Sequence, residues 1–348
     1  MNLSTSLNRS LNRSLTRRSL IATSAAIAGL GLASCGTTGT DTEGTGGTTA
    51  KVTFCLDYTP NTNHTGIYVA QRQGFFAEEG LEVEIVQPAE DTAEAMLGTG
   101  QAQLGVSYQD YIANAYAGGN TGFSAVAAIV QHNTSGIMSR REDGVTEPKA
   151  MEGLRYATWE MPIEQAIVRH IVEKDGGDYD KVRLVPYTVD DEISGLKADL
   201  FDTVWSYEGW AVQNATVRDY PVSYFSFISI DEVFDYYTPV IAANDEFCEG
   251  NPEVVRAFLR AAKKGYELAI ERPDEAADIL CEAVPELDAA LVRQSAAFLA
   301  EEYQADATSW GLIDGRRWSA FFQWLNDNSL VERPLDVDAG WTMDYLEA

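Results

Sequence analysis

From Lys51 onward the chain alternates short β-rich runs with helical stretches, and this alternation constrains the fold more than any other feature. Segments 52–56, 81–87, 103–107 and 125–131 read as strands, with helices expected over 63–79, 92–98 and 108–117 between them. Strands and helices at this spacing build βαβ units and a mainly parallel sheet. With 348 residues the chain is long for a single core, so two compact domains are expected.

Glu147-Pro148 and the run 154–158 read as a fresh beginning. A helix follows over 162–175 with Pro162 in its first turn, then short strands at 182–187, 203–205 and 223–226. After Tyr237-Thr238-Pro239 comes a strand at 240–243, and from there the chain is nearly all helix. Its helices open at Asn251-Pro252-Glu253, at Pro273-Asp274-Glu275 and at Asp288. A tail with so few strands is expected to pack on the first sheet, with Trp310, Trp318, Trp324 and Trp341 as packing residues. The expected architecture is α/β with two lobes. Lobe I comprises 51–147 and 239–348, lobe II 148–238, and the chain crosses twice, near Glu147 and Tyr237. Ligands of open α/β sheets bind at the strand carboxyl ends, so two facing lobes make a cleft.

Residues 1–35 read as an export signal rather than part of the fold. Arg17-Arg18 precede an apolar run over 20–33, shorter than the roughly 20 residues that span a bilayer. The run closes in Leu32-Ala33-Ser34-Cys35-Gly36, which resembles a lipobox with Cys35 as the lipidated residue, and 16–21 resembles a twin-arginine export motif. Residues 36–50 are mostly Gly and Thr and are expected to form a flexible tether. The body would then be displayed at the outer face of the cytoplasmic membrane, with transport left to another protein.

The chain carries 53 Asp and Glu against 25 Lys and Arg, a net charge of -28. Such a surface repels phosphate backbones, so nucleic-acid partners are excluded. Three cysteines follow Cys35. Cys55 lies in a strand pattern and is expected to be a buried free thiol, while for Cys248 and Cys281, which flank one helical hairpin, a bridge and two free thiols both stay open. No Cys-x-x-Cys occurs and His64, His132 and His170 are scattered, so no metal site and no cofactor are expected.

The run 56–70, Leu-Asp-Tyr-Thr-Pro-Asn-Thr-Asn-His-Thr-Gly-Ile-Tyr-Val-Ala, resembles the opening of importer binding proteins for thiamin pyrimidine precursors, within the sulfonate/nitrate/pyrimidine-binding superfamily. Gly74-Phe75-Phe76, Gly105-Val106-Ser107-Tyr108, Tyr207-Glu208-Gly209-Trp210 and Asp235-Tyr236-Tyr237-Thr238-Pro239 extend the similarity over 51–348. The resemblance implies a type II periplasmic-binding-protein fold, a monomer, an aminopyrimidine ligand, and a membrane permease with its ATPase as partners. A related branch is an enzyme, a pyrimidine synthase using its own histidine and pyridoxal phosphate. The sequence departs from that branch: Ser107 stands at its cofactor lysine, Tyr111 at its donor histidine, and 235–239 replaces its cysteine-rich run. Without an amine for the Schiff base that chemistry has no starting point, so a binding protein rather than an enzyme is expected.

A flat, nitrogen-rich ring needs aromatic faces and a carboxylate or amide at its edge. The first strand end offers Asp57 and Tyr58, with Asn61, Asn63 and His64 in the turn that follows, and Tyr108 follows the third strand. Lobe II offers Trp159 and Glu160, then Trp205, Tyr207 and Glu208, and Tyr236 and Tyr237 stand at the second crossing. Asp57 and Asn63 serve equally as helix caps, and Glu208 is the expected reader of the amino edge. Riboflavin or a sulfonate are the alternative ligands. A sulfonate site wants Arg or Lys, whereas these candidates are acidic and aromatic. No Gly-x-Ser-x-Gly elbow or Gly-rich phosphate loop points to another enzyme.

Overall fold

The computed structural model describes residues 49–88, 92–187 and 191–347. The expected export signal with Cys35, and the expected tether up to residue 48, lie outside the described residues.

Strands β1 (Ala50–Cys55), β2 (Leu81–Val86), β3 (Leu104–Ser107) and β4 (Phe123–Ala128) alternate with helices, and their buried faces carry Val52, Phe54, Leu104 and Val126. Strands β5 (Ser135–Arg140), β6 (Arg155–Thr158), β7 (Arg183–Pro186), β8 (Thr203–Tyr207) and β9 (Val222–Ser226) follow, and β10 (Val240–Asn244) ends the series. Two five-stranded sheets result, ordered β2-β1-β3-β10-β4 and β7-β6-β8-β5-β9. In each, three neighbouring strands run parallel, and one antiparallel strand, β10 or β5, lies fourth. Each antiparallel strand is the one the chain lays down directly after changing sheets. The two lobes therefore repeat one topology.

Strand β5 corrects the expected lobe boundary at 147. It pairs with β8 and β9 of the second sheet, so the first crossing is 129–134. The sequence Ser-Gly-Ile-Met-Ser-Arg has few β-branched residues because the strand is buried on both faces and closely approached. A Cβ on Gly136 would stand 2.1 Å from the Phe225 carbonyl oxygen. The second crossing runs between β9 and β10, through 227–239.

In the tail, helix Pro252–Glu271 lies across Thr65–Arg72, where Phe258 stacks on Phe54 and Phe76 at 5.4 and 5.0 Å between centroids. Trp310 and Trp318 are fully buried, and Trp310 stacks on Tyr266 at 4.4 Å. The tail also contacts lobe II. Helix Gly315–Asp327 reaches lobe II, stacking Phe321 on Tyr236 at 4.1 Å and setting Trp324 edge-on to Phe234 and His170. Cys55, Cys248 and Cys281 are free thiols, so the open question of a bridge resolves to none. Among the described residues no helix is long and apolar enough to cross a membrane.

Candidate functional site

The turn after β1 is shaped by Asn61. Its side chain accepts the Asn63 N–H at 2.9 Å, while its own N–H donates to His64 Nδ1 at 3.1 Å, a reciprocal cap that opens the following helix. Neither Asp57 nor Asn63 is the cap. With Nδ1 accepting, His64 carries its proton on Nε2 and donates it to Asp57 Oδ1 at 2.6 Å. Tyr108, at the end of β3, donates its hydroxyl to Asp57 Oδ2. Burial by itself raises the Asp57 pKa, but the attraction of His64 and the hydrogen bonds from His64 and Tyr108 outweigh it and hold the carboxyl below the usual range.

The tail holds this turn from behind. Tyr266 donates to the Asn63 carbonyl at 2.7 Å and Tyr303 to the Thr62 carbonyl at 2.5 Å. Thr62 Oγ1 meets Ser295 Oγ at 2.6 Å, and Ser295 in turn donates to the Gly209 carbonyl of lobe II. Gly209 lies in one turn of π-helix, Glu208–Val212, directly after β8.

Between the lobes lies a cleft of about 280 Å³. Lobe I lines it with Asp57, Tyr58, Asn61, Asn63 and Tyr108, and lobe II with Trp159, Glu192, Tyr207 and Trp210. Thr134 comes from the first crossing, Thr238 and Pro239 from the second. Two aromatic rings stand open at the mouth on opposite lobes, Tyr58 at 61% and Trp159 at 39% exposure. Trp159 leans on Trp205 at 5.4 Å. The backbone just beyond it turns through a left-handed residue, Glu160 at φ 61, whose N–H is held by Thr158 Oγ1 at 2.9 Å. Glu192 opens the short helix Glu192–Lys197, capped by Asp191, and burial pushes its carboxyl up to about 7. Among the described residues lining the cleft there is no Lys, Arg or His. The site is aromatic and carboxylic, with no counter-charge for an anion.

Seven of the thirteen residues named from the sequence line the cleft: Asp57, Tyr58, Asn61, Asn63, Tyr108, Trp159 and Tyr207. The other six do not. His64 is fully buried beneath Asp57, and Trp205 backs Trp159 from the core. Glu160 is itself the left-handed residue of its turn and does not line the cleft. Tyr236 is stacked on Phe321, and Tyr237 lies under the Arg317 guanidinium at 4.0 Å. Glu208, the expected reader, is corrected too. Its N–H ties β8 to Thr134 at 2.8 Å, but its side chain faces Glu302, and burial with that like charge raises its pKa. Glu192, Trp210 and Thr134 escaped the sequence reading. Glu192 was accessible to it, because Asp191-Glu192 opens the helix after β7 just as the 61–64 turn opens the one after β1.

Three comparisons bear on this geometry. Residues 61–276 match the family model described as NMT1/THI5 like. The formylaminopyrimidine-binding protein of Halalkalibacterium halodurans is 31% identical over 87% of this chain and 92% of its own length. The 4-amino-5-hydroxymethyl-2-methylpyrimidine phosphate synthase THI11 of Saccharomyces cerevisiae is 27% identical over 66% of this chain and 69% of its own. In fold, the periplasmic aliphatic sulphonate binding protein SsuA of Escherichia coli superposes with a TM-score of 0.66 at 12% identity, over 83% of this chain and 96% of its own. Two mixed sheets facing across a cleft are thus the periplasmic-binding-protein architecture, and the chain belongs to the NMT1/THI5-like family.

Proposed function

We propose that this protein is the solute-binding component of an ABC importer and captures an unphosphorylated aminopyrimidine precursor of thiamin. The observation that carries the reading is the cleft's chemistry: aromatic rings from both lobes, carboxyl groups from both lobes, and no cation among the described lining residues. Tyr58 and Trp159 offer faces for a flat ring. Asp57, an anion, and Glu192, whose proton is exchanged near neutrality, offer acceptors and a donor to ring nitrogens and an exocyclic amine. A sulfonate or phosphate ester would enter this cleft with no Lys, Arg or His among the described lining residues to balance its charge. The similarity to a formylaminopyrimidine-binding protein over most of both chains supports the same ligand class.

The synthase-named relatives leave an enzyme as the second reading. Binding is favoured over it by Ser107, which stands where the resemblance puts a cofactor lysine. Ser107 is buried and donates its hydroxyl to Glu94 at 2.6 Å, so the place is filled by a short, engaged side chain with no amine. Export and lipid anchoring through Cys35 rest on the sequence signature of residues 1–35, and delivery to a permease follows from the binding-protein reading. Closure of the lobes over the ligand would bend the chain at 129–134 and 227–239. A thermal-shift screen tests the ligand class. A ligand at about 100 times its Kd adds roughly 2.7 kcal/mol of stability, several degrees in melting temperature. Shifts with hydroxymethylpyrimidine or formylaminopyrimidine, and none with taurine or riboflavin, are expected. A shift with taurine alone would discard the pyrimidine assignment.

A further inference from the structure

Behind the floor of the cleft the two crossings run side by side and are joined through one carboxylate. Asp235, in the second crossing, accepts the Asn133 N–H of the first at 3.0 Å. It also meets His132 Nδ1 at 2.7 Å and accepts from Arg317 Nη1 of helix Gly315–Asp327 at 2.9 Å. Asn133 returns the tie, its side-chain amide donating to the Phe234 carbonyl at 2.8 Å. Just beyond these anchors, Thr134 and Thr238 reach the cleft, whereas Asp235, His132 and Arg317 do not.

His132 has a carboxylate at each ring nitrogen, Asp235 at Nδ1 and Asp306 at 3.0 Å from Nε2. Only the doubly protonated ring donates to both. Arg317 Nη1 also stands 3.0 Å from Nδ1. When Nδ1 loses its proton it becomes an acceptor for that guanidinium, and the tie to Asp235 is gone. The charged groups facing the ring are Asp235 on the second crossing, Glu302 at the end of helix Ala289–Glu302, Asp306 in the turn beyond it, and Arg317 on the last helix. The Asp235 hydrogen bond leads, burial and Arg317 oppose it, and the balance raises the His132 pKa above its ordinary 6.5.

We propose that Asp235, His132 and Arg317 form a clasp that positions the cleft floor, and that His132 couples ligand affinity to pH. The coupling rests on the binding-protein reading, but the clasp is tested without ligand. A histidine whose folded value is raised contributes stability that is complete below pH 6.5 and lost as the pH climbs through the raised value. Melting temperatures of the wild type, His132→Gln and Asp306→Asn would be recorded between about pH 6 and about pH 9, and then Kd for hydroxymethylpyrimidine would be measured for each. The wild-type advantage over His132→Gln should shrink as pH rises. Over the same range wild-type Kd should weaken by about threefold or more beyond the change seen in His132→Gln. Glu192 is common to both proteins, so its own titration cancels in the comparison. Asp306 is exposed, so its variant keeps the fold and should move the wild-type midpoint to lower pH. Stability curves that run parallel at all pH values overturn the clasp, and equal affinity slopes overturn the coupling. If the wild type binds no pyrimidine at any pH, the functional reading falls while the melting curves still decide the clasp.

Discussion

His64 donates from Nε2 to Asp57 Oδ1 across 2.6 Å, with the imidazole fully buried and the Asp57 side chain at 6% exposure. The pair joins the first turn of a helix to the end of β1 and fixes the orientation of a cleft carboxylate. His64→Ala leaves that carboxylate oxygen without its donor, a loss of about 1–3 kcal/mol. Because the Asp57 pKa is held low, its contribution is present above 3.8 and lost as pH falls through the folded value. The expected result is a lower melting temperature for His64→Ala at neutral pH and a gap that narrows in acid, read by calorimetry at several pH values.

Glu192 shifts the other way. Burial raises it from 4.5 to about 7, so the folded protein holds a proton that the unfolded chain releases, and this group costs stability as pH rises from 4.5 through about 7. Glu192→Gln removes the penalty. It should melt higher than the wild type at about pH 8, with the difference vanishing below 4.5. The same variant should bind the pyrimidine more weakly by about tenfold, through loss of one paired hydrogen bond at the ring edge.

Trp159 stands 39% exposed at the cleft mouth. Its truncation removes a stacking face without opening a core cavity. Trp159→Ala should weaken the pyrimidine by about tenfold, equivalent to about 1.4 kcal/mol, with little change in melting temperature. Trp159→Phe should recover most of the loss. Titration calorimetry on the pair separates stacking from general disruption.

Gly265 lies where helix Pro252–Glu271 crosses Thr65–Arg72 closely. A Cβ there would stand 2.0 Å from the Gly66 carbonyl oxygen, which is backbone and cannot step aside. Gly265→Ala should therefore cost about 2–3 kcal/mol by overpacking. Because the neighbouring Tyr266 anchors the Asn63 carbonyl, ligand affinity should fall with stability, measured as denaturant midpoint and Kd on the same preparation.

The alternation of strands and helices was readable where a strand carries a dense apolar run, as in Val52 to Leu56, or alternates apolar and polar residues, as in Leu81–Val86. Strand β5 was not, since Gly136 and its serines satisfy a close approach by Phe225 and Tyr224 that no local pattern announces. The strand-end rule found Asp57, Tyr58, Tyr108 and Trp159, whose positions depend on local chain direction alone. It misplaced Glu208, which opens a π-turn outside the cleft lining, and misjudged Tyr236 because the partner ring, Phe321, comes from far along the chain. Trp210 entered the cleft through the same π-turn. What local chemistry decides was legible, and what tertiary contact decides was not.

A cleft with two carboxyl groups and, among the described residues, no cation should select a neutral or cationic ring. Titration calorimetry of the wild-type protein at about pH 7.5 with formylaminopyrimidine, hydroxymethylpyrimidine and hydroxymethylpyrimidine phosphate tests it most directly. The account predicts Kd near or below about 1 μM for one of the unphosphorylated pyrimidines and at least about a hundredfold weaker binding of the phosphate ester. Equal or tighter binding of the phosphate ester would contradict it.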